Sequence, residues 1–479
     1  MKPKKNKTIV PKSKKNAKEK KSGPGAEKSS TTKKTNNVLR GMHDILPKEE
    51  KYWRAFYRAA QNLADYFQFG RIETPLLEES SLFVRSVGRG TDIVDKEMYI
   101  FEDRDGAKVA LRPEGTAGVA RAYIGNGMWN LTQPVKVWYV ESMFRHERPQ
   151  SGRYREHHQI GFETIGAKDP ALDAELILIA YSFYKDLGVP VEVHINSLGT
   201  PEERARYINE LVSYYRSKRS YLCENCRLRI TKNPLRLLDC KEPSCQPVKE
   251  AAPQLVDWLG EESKNFFMKV LEYLDELEIP YQLTPTLVRG LDYYTHTVFE
   301  LVPNFIIPLA GDEPAEENKT VGAVPSGAQS SVGAGGRYDL LVEDLGGRPT
   351  PAAGFGIGIE RAISALKQYN ELKKTQPPVP EEKYDVYFAQ LGGDAKRTAL
   401  KMINDLRMTD IRLAFNLYKN SLKNQLELAN SLKVAYVVIL GQKEVQDKTV
   451  IIRDMESGVQ EIVDQKKLEM NLRKKLKKI

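Results

Sequence analysis

The chain has no long apolar run, few cysteines and no arginine in its first 37 residues, and each of these absences excludes a class of protein. A membrane-spanning helix needs about 20 consecutive apolar residues. Because no such run occurs, we expect no membrane span and no membrane partner. The N-terminus also lacks the apolar core of a secretory signal. Four cysteines in 479 residues argue against a disulfide scaffold, so we expect a reducing, cytoplasmic location.

The positive charge is concentrated at the N-terminus. The whole chain has a formal net charge of +9, whereas residues 1–37 hold 13 Lys and 2 Glu, a net charge of +11. Elsewhere 60 basic and 62 acidic residues nearly cancel. With almost nothing to bury, residues 1–37 are predicted to be a disordered tail. The tail could be a weak electrostatic tether for nucleic acid or a solubilising extension, whereas a mitochondrial presequence would contain arginine.

Hydrophobic periodicity predicts two folded units after the tail. Residues 38–374 combine amphipathic helices, such as 170–187, with alternating strands, and they include a largely helical insert at about 200–280 that holds all four cysteines. Residues 375–383 contain TQPPVP and are predicted to be a linker. In residues 384–479 predicted strands at YDVYFAQ, about 412–414, 434–440 and 449–454 alternate with predicted helices at 394–407 and 421–432 and a basic C-terminal helix. This order predicts a compact α/β domain.

The stretch FRHERPQSGRYREHHQIGFE, residues 144–163, is the most informative part of the chain. Four arginines lie within eleven positions between two predicted strands; they are Arg145, Arg148, Arg153 and Arg155. A guanidinium group pairs bidentately with phosphate oxygens and keeps its charge, so the pattern suits a polyphosphate ligand. A solvated basic hairpin is the alternative that spacing alone leaves open.

Three further segments carry charged or aromatic residues in suggestive positions. They are LRPEGT at 111–116, LVRGLDYYTHTVFE at 287–300 and GFGIGIERAI at 354–363. In the last of these, glycines permit close backbone packing, and Arg361 falls one turn into a predicted helix. Each segment is unremarkable alone, because a glycine-packed helix start or an aromatic core would look the same.

Taken together and in this order, the segments resemble the histidyl-tRNA synthetase family of the bacterial type. RIETPLLE around Pro75 resembles the dimer-forming motif of class II synthetases, residues 144–163 the second class motif and GFGIGIERAI the third. RGLDYY at 289–294 and GAGGRYD at 333–339 resemble the two histidine-specific motifs. The resemblance covers about 38–470. It implies an α+β fold: a class II core with a mostly antiparallel six-stranded sheet flanked by helices, the helical insert, and a C-terminal α/β anticodon-binding domain.

The resemblance also implies an activity. The family activates L-histidine with ATP to histidyl-adenylate, with Mg²⁺ neutralising phosphate charge, and then transfers histidine to the 3′ end of tRNA(His). Such enzymes are homodimers. By residue-to-residue correspondence, the implied catalytic arginines are Arg145, Arg289 and Arg361. The implied ATP-binding residues are Arg145, Glu147, Arg153, Tyr154, Arg155 and Arg361.

The resemblance places histidine and tRNA contacts in the same motifs. A histidine pocket must hold an ammonium group and recognise both imidazole nitrogens. The implied lining residues are Glu114, Thr116, Arg145, Gln159, Glu163, Arg289, Tyr293, Tyr294 and Tyr338. Glu163 and Tyr294 would meet the ring, and Glu114, Thr116 and Gln159 the ammonium group. Arg148 and Gln150 would meet the tRNA acceptor end, where the family expects an extra 5′ guanosine.

The four cysteines of the insert have no counterpart among these motifs. Cys223, Cys226, Cys240 and Cys245 are spaced C-x2-C-x13-C-x4-C, which suits a structural zinc site. Four reduced thiols in a helical insert are the alternative, which we favour because zinc is not a general requirement of the family. The segment 303–330 is also longer than the family usually has between its two histidine-specific motifs, and we interpret it as a surface loop rather than a lid.

Two functions without catalysis remain to be weighed. A synthetase-like regulatory subunit of ATP phosphoribosyltransferase shares the core fold, but such proteins typically lose the catalytic arginines and the anticodon domain, both of which this chain retains. A nucleic-acid-binding regulator would use the tail and the C-terminal domain, and the complete set of pocket residues argues against it. Histidine–tRNA ligase activity is therefore the expectation.

Overall fold

The computed structural model describes residues 37–88, 91–148, 152–305, 331–374 and 384–477. The predicted tail up to residue 36, the linker 375–383, residues 306–330 and Gln150 lie outside these ranges. Within them, no helix combines the length and apolar character that crossing a bilayer requires.

Sixteen strands form three sheets in the described part of the chain. The strands are β1 (Gly70–Arg71), β2 (Leu77–Glu79), β3 (Ile100–Glu102), β4 (Lys108–Leu111), β5 (Val135–Phe144), β6 (Glu156–Ile165), β7 (Val191–Ser197), β8 (Tyr281–Leu283), β9 (Thr295–Pro303), β10 (Gly333–Arg337), β11 (Ala352–Gly358), β12 (Val386–Gln390), β13 (Leu413–Phe415), β14 (Tyr436–Leu440), β15 (Thr449–Asp454) and β16 (Gln460–Asp464).

Fourteen α-helices accompany the strands in the same described ranges. They are α1 (Pro47–Tyr66), α2 (Ser80–Val87), α3 (Thr116–Gly125), α4 (Pro170–Asp186), α5 (Pro201–Ser217), α6 (Glu224–Lys232), α7 (Gln246–Glu250), α8 (Glu261–Glu276), α9 (Leu341–Asp344), α10 (Ile359–Lys373), α11 (Gly393–Leu406), α12 (Leu422–Ser431), α13 (Gln442–Asp447) and α14 (Leu468–Leu476).

The largest sheet has eight strands, so the predicted count of six is wrong. Its order is β1-β5-β6-β11-β10-β9-β7-β8. The six central strands are antiparallel, as expected, and a short parallel strand extends each edge. The edge strands β1 and β8 contain only two and three residues, too few to show an alternating pattern in the sequence.

The two faces of this sheet bury different partners. Along β6, Phe162 points to a face covered by α1, α4, α8 and α10, where its ring stacks on Phe355 of β11 at 5.2 Å between centroids. Residues 159, 161 and 163 alternate with it and point to the opposite face. There the sheet meets α3, the helical insert and the segment before β9. The candidate site lies on this second face.

A buried ion pair joins the sheet to α4. Arg337 at the end of β10 is fully buried, and its guanidinium group pairs with Asp173 in the first turn of α4. Arg337 Nη1 also donates to Asp339 at 3.0 Å. Removing one partner of such a pair would leave an uncompensated buried charge, which is strongly destabilising. The arginine of GAGGRYD therefore has a structural partner.

The helical insert consists of α5 to α8 with short 3-10 turns between them. Helix α5 begins with a capping box, in which Thr200 accepts from the amide of Glu203 and Glu203 accepts from the amide of Thr200. Tyr207, Leu211 and Tyr215 form its buried stripe. The predicted helical character of residues 200–280 is confirmed.

The C-terminal unit is an α/β domain with a five-stranded sheet of order β13-β12-β14-β15-β16. Its two hydrophobic clusters contain only residues after 383, whereas the three clusters of the first unit contain only residues before 367. The sequence predicted β12 to β15, α11, α12 and α14. Strand β16 and helix α13 were missed, because β16 is largely exposed and α13 buries no residue.

Candidate active site

A cleft of about 670 Å³ opens on the second face of the eight-stranded sheet. Its walls come from the β5–β6 hairpin, the segment 284–294, strands β9 to β11 and the start of α10. The four sequence segments that were singled out separately therefore converge on one cavity. Charged arginines line its outer part, and buried tyrosines and carboxylates line its inner end.

Glu163 on β6 is fully buried behind the inner end: neither it nor Tyr338 lines the cleft, but its partner Thr116 does. Its carboxylate accepts hydrogen bonds from Thr116 Oγ1 at 2.8 Å, from the Tyr139 hydroxyl at 3.3 Å and from the Tyr338 hydroxyl. Burial raises the pKa of Glu163 to about 8, although the hydroxyl donors oppose this shift. The result is a carboxyl group that is held in a fixed orientation and whose pKa lies above neutral pH.

Two glycines of the neighbouring strand β11 make room for the polar side chains of β6. Gly354 pairs with Glu163 in the β6–β11 register, and Gly356 pairs with Gly161, two residues beyond Gln159 on β6. A Cβ atom at Gly354 would overlap the Glu163 carboxylate, and one at Gly356 would overlap the Gln159 amide. The glycines of GFGIG are therefore needed for side-chain space, in addition to the close backbone packing that the sequence predicted.

Tyr139 on β5 is a site residue that sequence reasoning missed. It is fully buried, its hydroxyl contacts Glu163, and it accepts from Gln159 Nε2 at 3.4 Å. Cβ atoms at Gly115 or Gly161 would overlap its ring. A tyrosine in an apolar strand looks like core in the sequence. The available signal was Gly161, which pairs with Tyr139 across the hairpin.

Glu114 is held at the N-terminus of α3. Its carboxylate accepts from the backbone amides of Thr116 at 2.7 Å and Ala117 at 2.9 Å. Burial raises the pKa of Glu114, whereas these amides and the nearby Arg145 lower it. Glu114 and Thr116 both line the cleft, where the family resemblance implied that they would lie.

An aromatic cluster closes the inner end. The Tyr293 ring lies 4.7 Å from the Tyr294 ring and 5.6 Å from the Tyr338 ring, centroid to centroid. All three side chains are at least nine-tenths buried. Burial raises the pKa of the Tyr294 phenol above its usual value and the pKa of the Tyr293 and Tyr338 phenols well above it. Their hydroxyls therefore stay protonated and act as hydrogen-bond donors.

Arg289 lies between the aromatic cluster and the outer cleft. Its Nη1 pairs with Glu300 of β9, and its guanidinium carbon lies 5.6 Å from the Tyr294 ring centroid. Its Nε is buried and has no hydrogen-bond partner among the described residues. A buried donor without an acceptor costs about 1–3 kcal/mol. A ligand oxygen at this position would recover that free energy.

The β5–β6 hairpin supplies the charged wall. Arg145 Nε donates to the Pro113 carbonyl at 2.7 Å, which holds the side chain against the cleft. Glu147 lies 4.0 Å from Arg145 Nη1 and accepts from Arg153 Nη1 at 3.1 Å. Tyr154 packs on His43 with ring centroids 4.2 Å apart. All four hairpin residues line the cavity.

Arg361 in the first turn of α10 faces the hairpin. Burial and the nearby Arg153 lower its pKa to about 10, so it stays charged at neutral pH. The α-carbon of Arg361 would lie 3.6 Å from a Cβ atom at Gly152, so the hairpin tip approaches this helix closely. Two like charges facing one cavity favour an anionic ligand.

The remaining predicted hairpin residues lie elsewhere. Arg155 is outside the cleft lining, and its Nε donates to the Glu147 carbonyl at 3.4 Å. Arg148 is exposed at the hairpin tip. His157, which the sequence analysis did not assign, lines the cleft, and burial together with Arg145 lowers its pKa to about 3.

The four cysteines cluster in the insert, within 4.8 Å of one another at their sulfur atoms.

The antiparallel sheet with its arginine-lined cleft, followed by a separate α/β domain, defines a class II aminoacyl-tRNA synthetase. The family model described as "Histidyl-tRNA synthetase" matches residues 41–202 and 246–362, and the one described as "Anticodon binding domain" matches residues 385–475. The chain belongs to the histidyl-tRNA synthetase family.

Individual relatives agree with this assignment. A "Histidine--tRNA ligase" of Dehalococcoides mccartyi is 43% identical over 438 residues, covering 91% of this chain and 99% of the relative. The protein of the same name from Aquifex aeolicus is 43% identical over 423 residues, covering 88% and 97%. The crystal structure of apo S. aureus histidyl-tRNA synthetase matches with a TM-score of 0.71 at 31% identity, covering 92% of this chain and 100% of that one.

The regulatory-subunit alternative is not favoured. A Bacillus halodurans structure named as an ATP phosphoribosyltransferase regulatory subunit/histidyl-tRNA synthetase is similar at a TM-score of 0.56 but only 20% identity, which shows a shared fold alone. Three relatives at 40–43% identity, from Dehalococcoides mccartyi, Natranaerobius thermophilus and Aquifex aeolicus, are named histidine–tRNA ligases.

Proposed function

We propose that this protein activates L-histidine with ATP and transfers the histidyl group to tRNA(His). The observation that carries the proposal is one cavity with two chemically different ends. Behind the inner end, Glu163 is fixed by three hydroxyls, one of them from the lining residue Thr116. Arg145, Arg289 and Arg361 line the outer part. The first end suits a small polar ring, and the second suits a polyphosphate.

Histidine would occupy the inner end. Glu163 and Tyr294 would meet the imidazole nitrogens, while Glu114, Thr116 and Gln159 would hold the ammonium group. The raised pKa of Glu163 suits this role, because an N–H group or an imidazolium would replace the proton that the buried carboxyl otherwise retains. An analogue that cannot form hydrogen bonds would leave these buried groups unpaired and would be rejected.

ATP would occupy the outer part. Arg145 would bridge the α-phosphate and the histidine carboxylate, Glu147, Arg153 and Tyr154 would hold the nucleotide, and Arg361 would bind the γ-phosphate. Arg155 would support this wall through its contact with the Glu147 carbonyl. Arg289 would stabilise the charge that grows at the α-phosphate, a role that its unpartnered buried Nε supports.

The chemistry would then depend on positioning. A histidine carboxylate oxygen attacks the α-phosphorus, and the bond to pyrophosphate breaks, which gives histidyl-adenylate and pyrophosphate. In the second step the 3′-terminal hydroxyl of tRNA attacks the acyl carbon and AMP leaves. The hydroxyl proton passes to a phosphate oxygen of the adenylate, since no side chain is an obvious general base.

Magnesium would enter with ATP and neutralise phosphate charge. Two cleft carboxylates fit this ion, because Mg²⁺ prefers oxygen ligands. Glu97 and Glu147 both line the cavity, and burial and the charge of Glu147 raise the pKa of Glu97. A nearby cation would relieve that repulsion.

The acceptor end of tRNA would meet the hairpin tip, where Arg148 is exposed and Gln150 follows, and the domain formed by residues 384–479 would bind the anticodon. Residues 1–37 would remain an appendage to the catalytic unit 38–374. A homodimer formed around the motif near Pro75 belongs to the same proposal, and sedimentation of the purified chain tests it.

Charging of tRNA(His) tests the function as a whole. We expect the purified protein to attach labelled histidine, and no other proteinogenic amino acid, to tRNA(His) that carries an extra 5′ guanosine. Arg148→Ala should weaken charging, while Arg104→Ala, which alters an exposed arginine of the β3–β4 turn, should not. Charging by a different amino acid, or none by a folded protein, would refute the proposal.

A further inference from the structure

The four cysteines of the insert form a compact group although they span 23 positions of the chain. All four sulfur atoms lie within 4.8 Å of one another, and Cys223 Sγ is 4.0 Å from Cys240 Sγ. Cys226, Cys240 and Cys245 are buried, whereas Cys223 is partly exposed. All four lie between the two stretches that match the synthetase family model.

Three local structures bring the sulfurs together. Cys223 is the N-cap of α6 and Cys226 lies in the first turn of that helix, so the C-x2-C pair points to one side. Cys240 follows the short 3-10 helix Pro234–Leu237, and Cys245 immediately precedes α7. The backbone amide of Cys223 donates to Cys245 Sγ at 3.2 Å, which links the two pairs.

We propose that these four cysteines bind one structural zinc ion. Tetrahedral zinc–thiolate sites have Zn–S distances of about 2.3 Å, which places their sulfurs about 3.8 Å apart. The observed 4.0 Å separation of Cys223 and Cys240, and the 4.8 Å limit for the whole group, agree with this geometry. The hydrogen bond from the backbone amide of Cys223 to Cys245 Sγ would stabilise the thiolate charge, as hydrogen bonds to metal ligands do in such sites.

Other uses of four cysteines fit less well. A disulfide requires sulfurs at about 2.05 Å, and none of the four is paired in this way. An iron–sulfur cluster holds its cysteines around several metal ions and therefore needs a wider cage than this group offers. Four thiolates fill the coordination shell of zinc, so the ion would have a structural role and no catalytic one.

The ion would fix a segment that touches the candidate active site. Between the two cysteine pairs, Leu237 and Leu238 are buried in the same hydrophobic cluster as Tyr293 and Tyr294. Arg236 lines the cleft and lies 3.6 Å from the Asp92 carboxylate. The zinc site would thereby act as a clamp on the insert, holding residues 234–240 against the segment that carries Arg289.

Metal content of the untagged, full-length protein tests the proposal. Inductively coupled plasma mass spectrometry should find about one zinc per chain. Titration of the four cysteines with a mercurial reagent should release that zinc in proportion to the number of cysteines that have reacted. X-ray absorption at the zinc edge should show sulfur neighbours only, at about 2.3 Å.

Variants separate the cluster from adventitious binding. The double variant C240S/C245S should lose the zinc, whereas Ser244→Ala, which alters the residue immediately before Cys245, should retain it. If the double variant does not fold, the wild-type measurements still decide. A folded wild-type protein with no zinc and four freely reactive thiols, with stoichiometric iron, or with a disulfide among these cysteines would overturn the proposal.

Discussion

Glu163 combines full burial with three hydroxyl donors, and its ionisation should therefore be linked to the stability of the fold. Its pKa is raised from 4.5 to about 8, so the folded state holds this proton more tightly than the unfolded chain does. Each unit of that difference corresponds to about 1.4 kcal/mol. The stabilisation is complete below about pH 4.5 and disappears as the pH rises through about 8.

The pH dependence of stability tests this link. We expect the melting temperature of the ligand-free wild type to fall, relative to that of Glu163→Gln, as the pH rises from about 5 to about 9. Thermal denaturation followed by circular dichroism measures the difference, and Glu276→Gln, at an exposed position on α8, serves as the control. Parallel curves for wild type and Glu163→Gln would show that Glu163 does not retain a proton.

The hydroxyl of Tyr338 donates to Glu163, and its removal should weaken histidine binding. We expect Tyr338→Phe to raise the KM for histidine about tenfold in pyrophosphate exchange, because a lost hydrogen bond of this kind costs about 1.4 kcal/mol. Tyr221→Phe, at a residue that is 64% exposed, should leave the KM unchanged. An unchanged KM in Tyr338→Phe would remove Tyr338 from the pocket.

At the scale of single residues, the sequence predicted more of the arginine-lined wall of the cleft than of the residues around its inner end. The spacing of the arginines at 145–155 favoured a phosphate ligand no more than a basic hairpin, and the resemblance to the synthetase family supplied the roles of the cleft arginines and of Glu163. The sequence analysis missed Tyr139, because its role depends on the strand register that places it opposite Gly161. Strand register is set by tertiary packing and cannot be read from the local sequence. His157, at the start of β6, was missed because one of several histidines in the charged stretch 144–163 has no distinguishing pattern.

Strand β11 illustrates how an element is shaped by its neighbour. Gly354 and Gly356 face Glu163 and Gln159 of β6, and neither position has room for a Cβ atom. On the opposite face of the same strand, Phe355 packs into the helix-covered core. The alternation of glycine with larger residues in GFGIG therefore reflects two faces with opposite requirements.

Substitution of one of these glycines should damage the site. We expect Gly354→Ala to lower histidine-dependent exchange by about fivefold to 100-fold, because forcing a methyl group into a filled space costs about 1–3 kcal/mol and displaces Glu163. Gly125→Ala is the matched control, since a Cβ atom there meets nothing within 4 Å. Wild-type exchange in Gly354→Ala would mean that the pocket adapts freely.

Elements with strong hydrophobic periodicity were predictable, and short ones were not. Helix α4 runs over Pro170–Asp186 against a predicted 170–187, because its buried stripe is continuous. Strands β1 and β8 reach the sheet only through parallel pairing with distant strands, β5 and β7. Nothing local in their two and three residues records that pairing, which is why the predicted sheet had six strands.

At the scale of the whole molecule, the two folded units have separate hydrophobic cores. A chain that ends at residue 374 should therefore fold and retain histidine-dependent pyrophosphate exchange. It should lose tRNA charging by roughly 100-fold or more, because the anticodon contacts would be absent. Exchange and charging assays on this chain and on the full-length protein measure both effects. Equal losses in the two assays would contradict the proposal that the first unit activates histidine and the C-terminal domain binds the anticodon.

Histidine-dependent exchange of pyrophosphate into ATP tests the central claim most directly. We predict exchange with histidine and with no other amino acid, lowered about 100- to 1,000-fold in Arg289→Ala, since removing one charge-stabilising donor costs about 2.7–4 kcal/mol at the transition state. Arg216→Ala, at an exposed position of α5, should exchange like wild type. Exchange that another amino acid supports, or that survives in Arg289→Ala, would contradict the account.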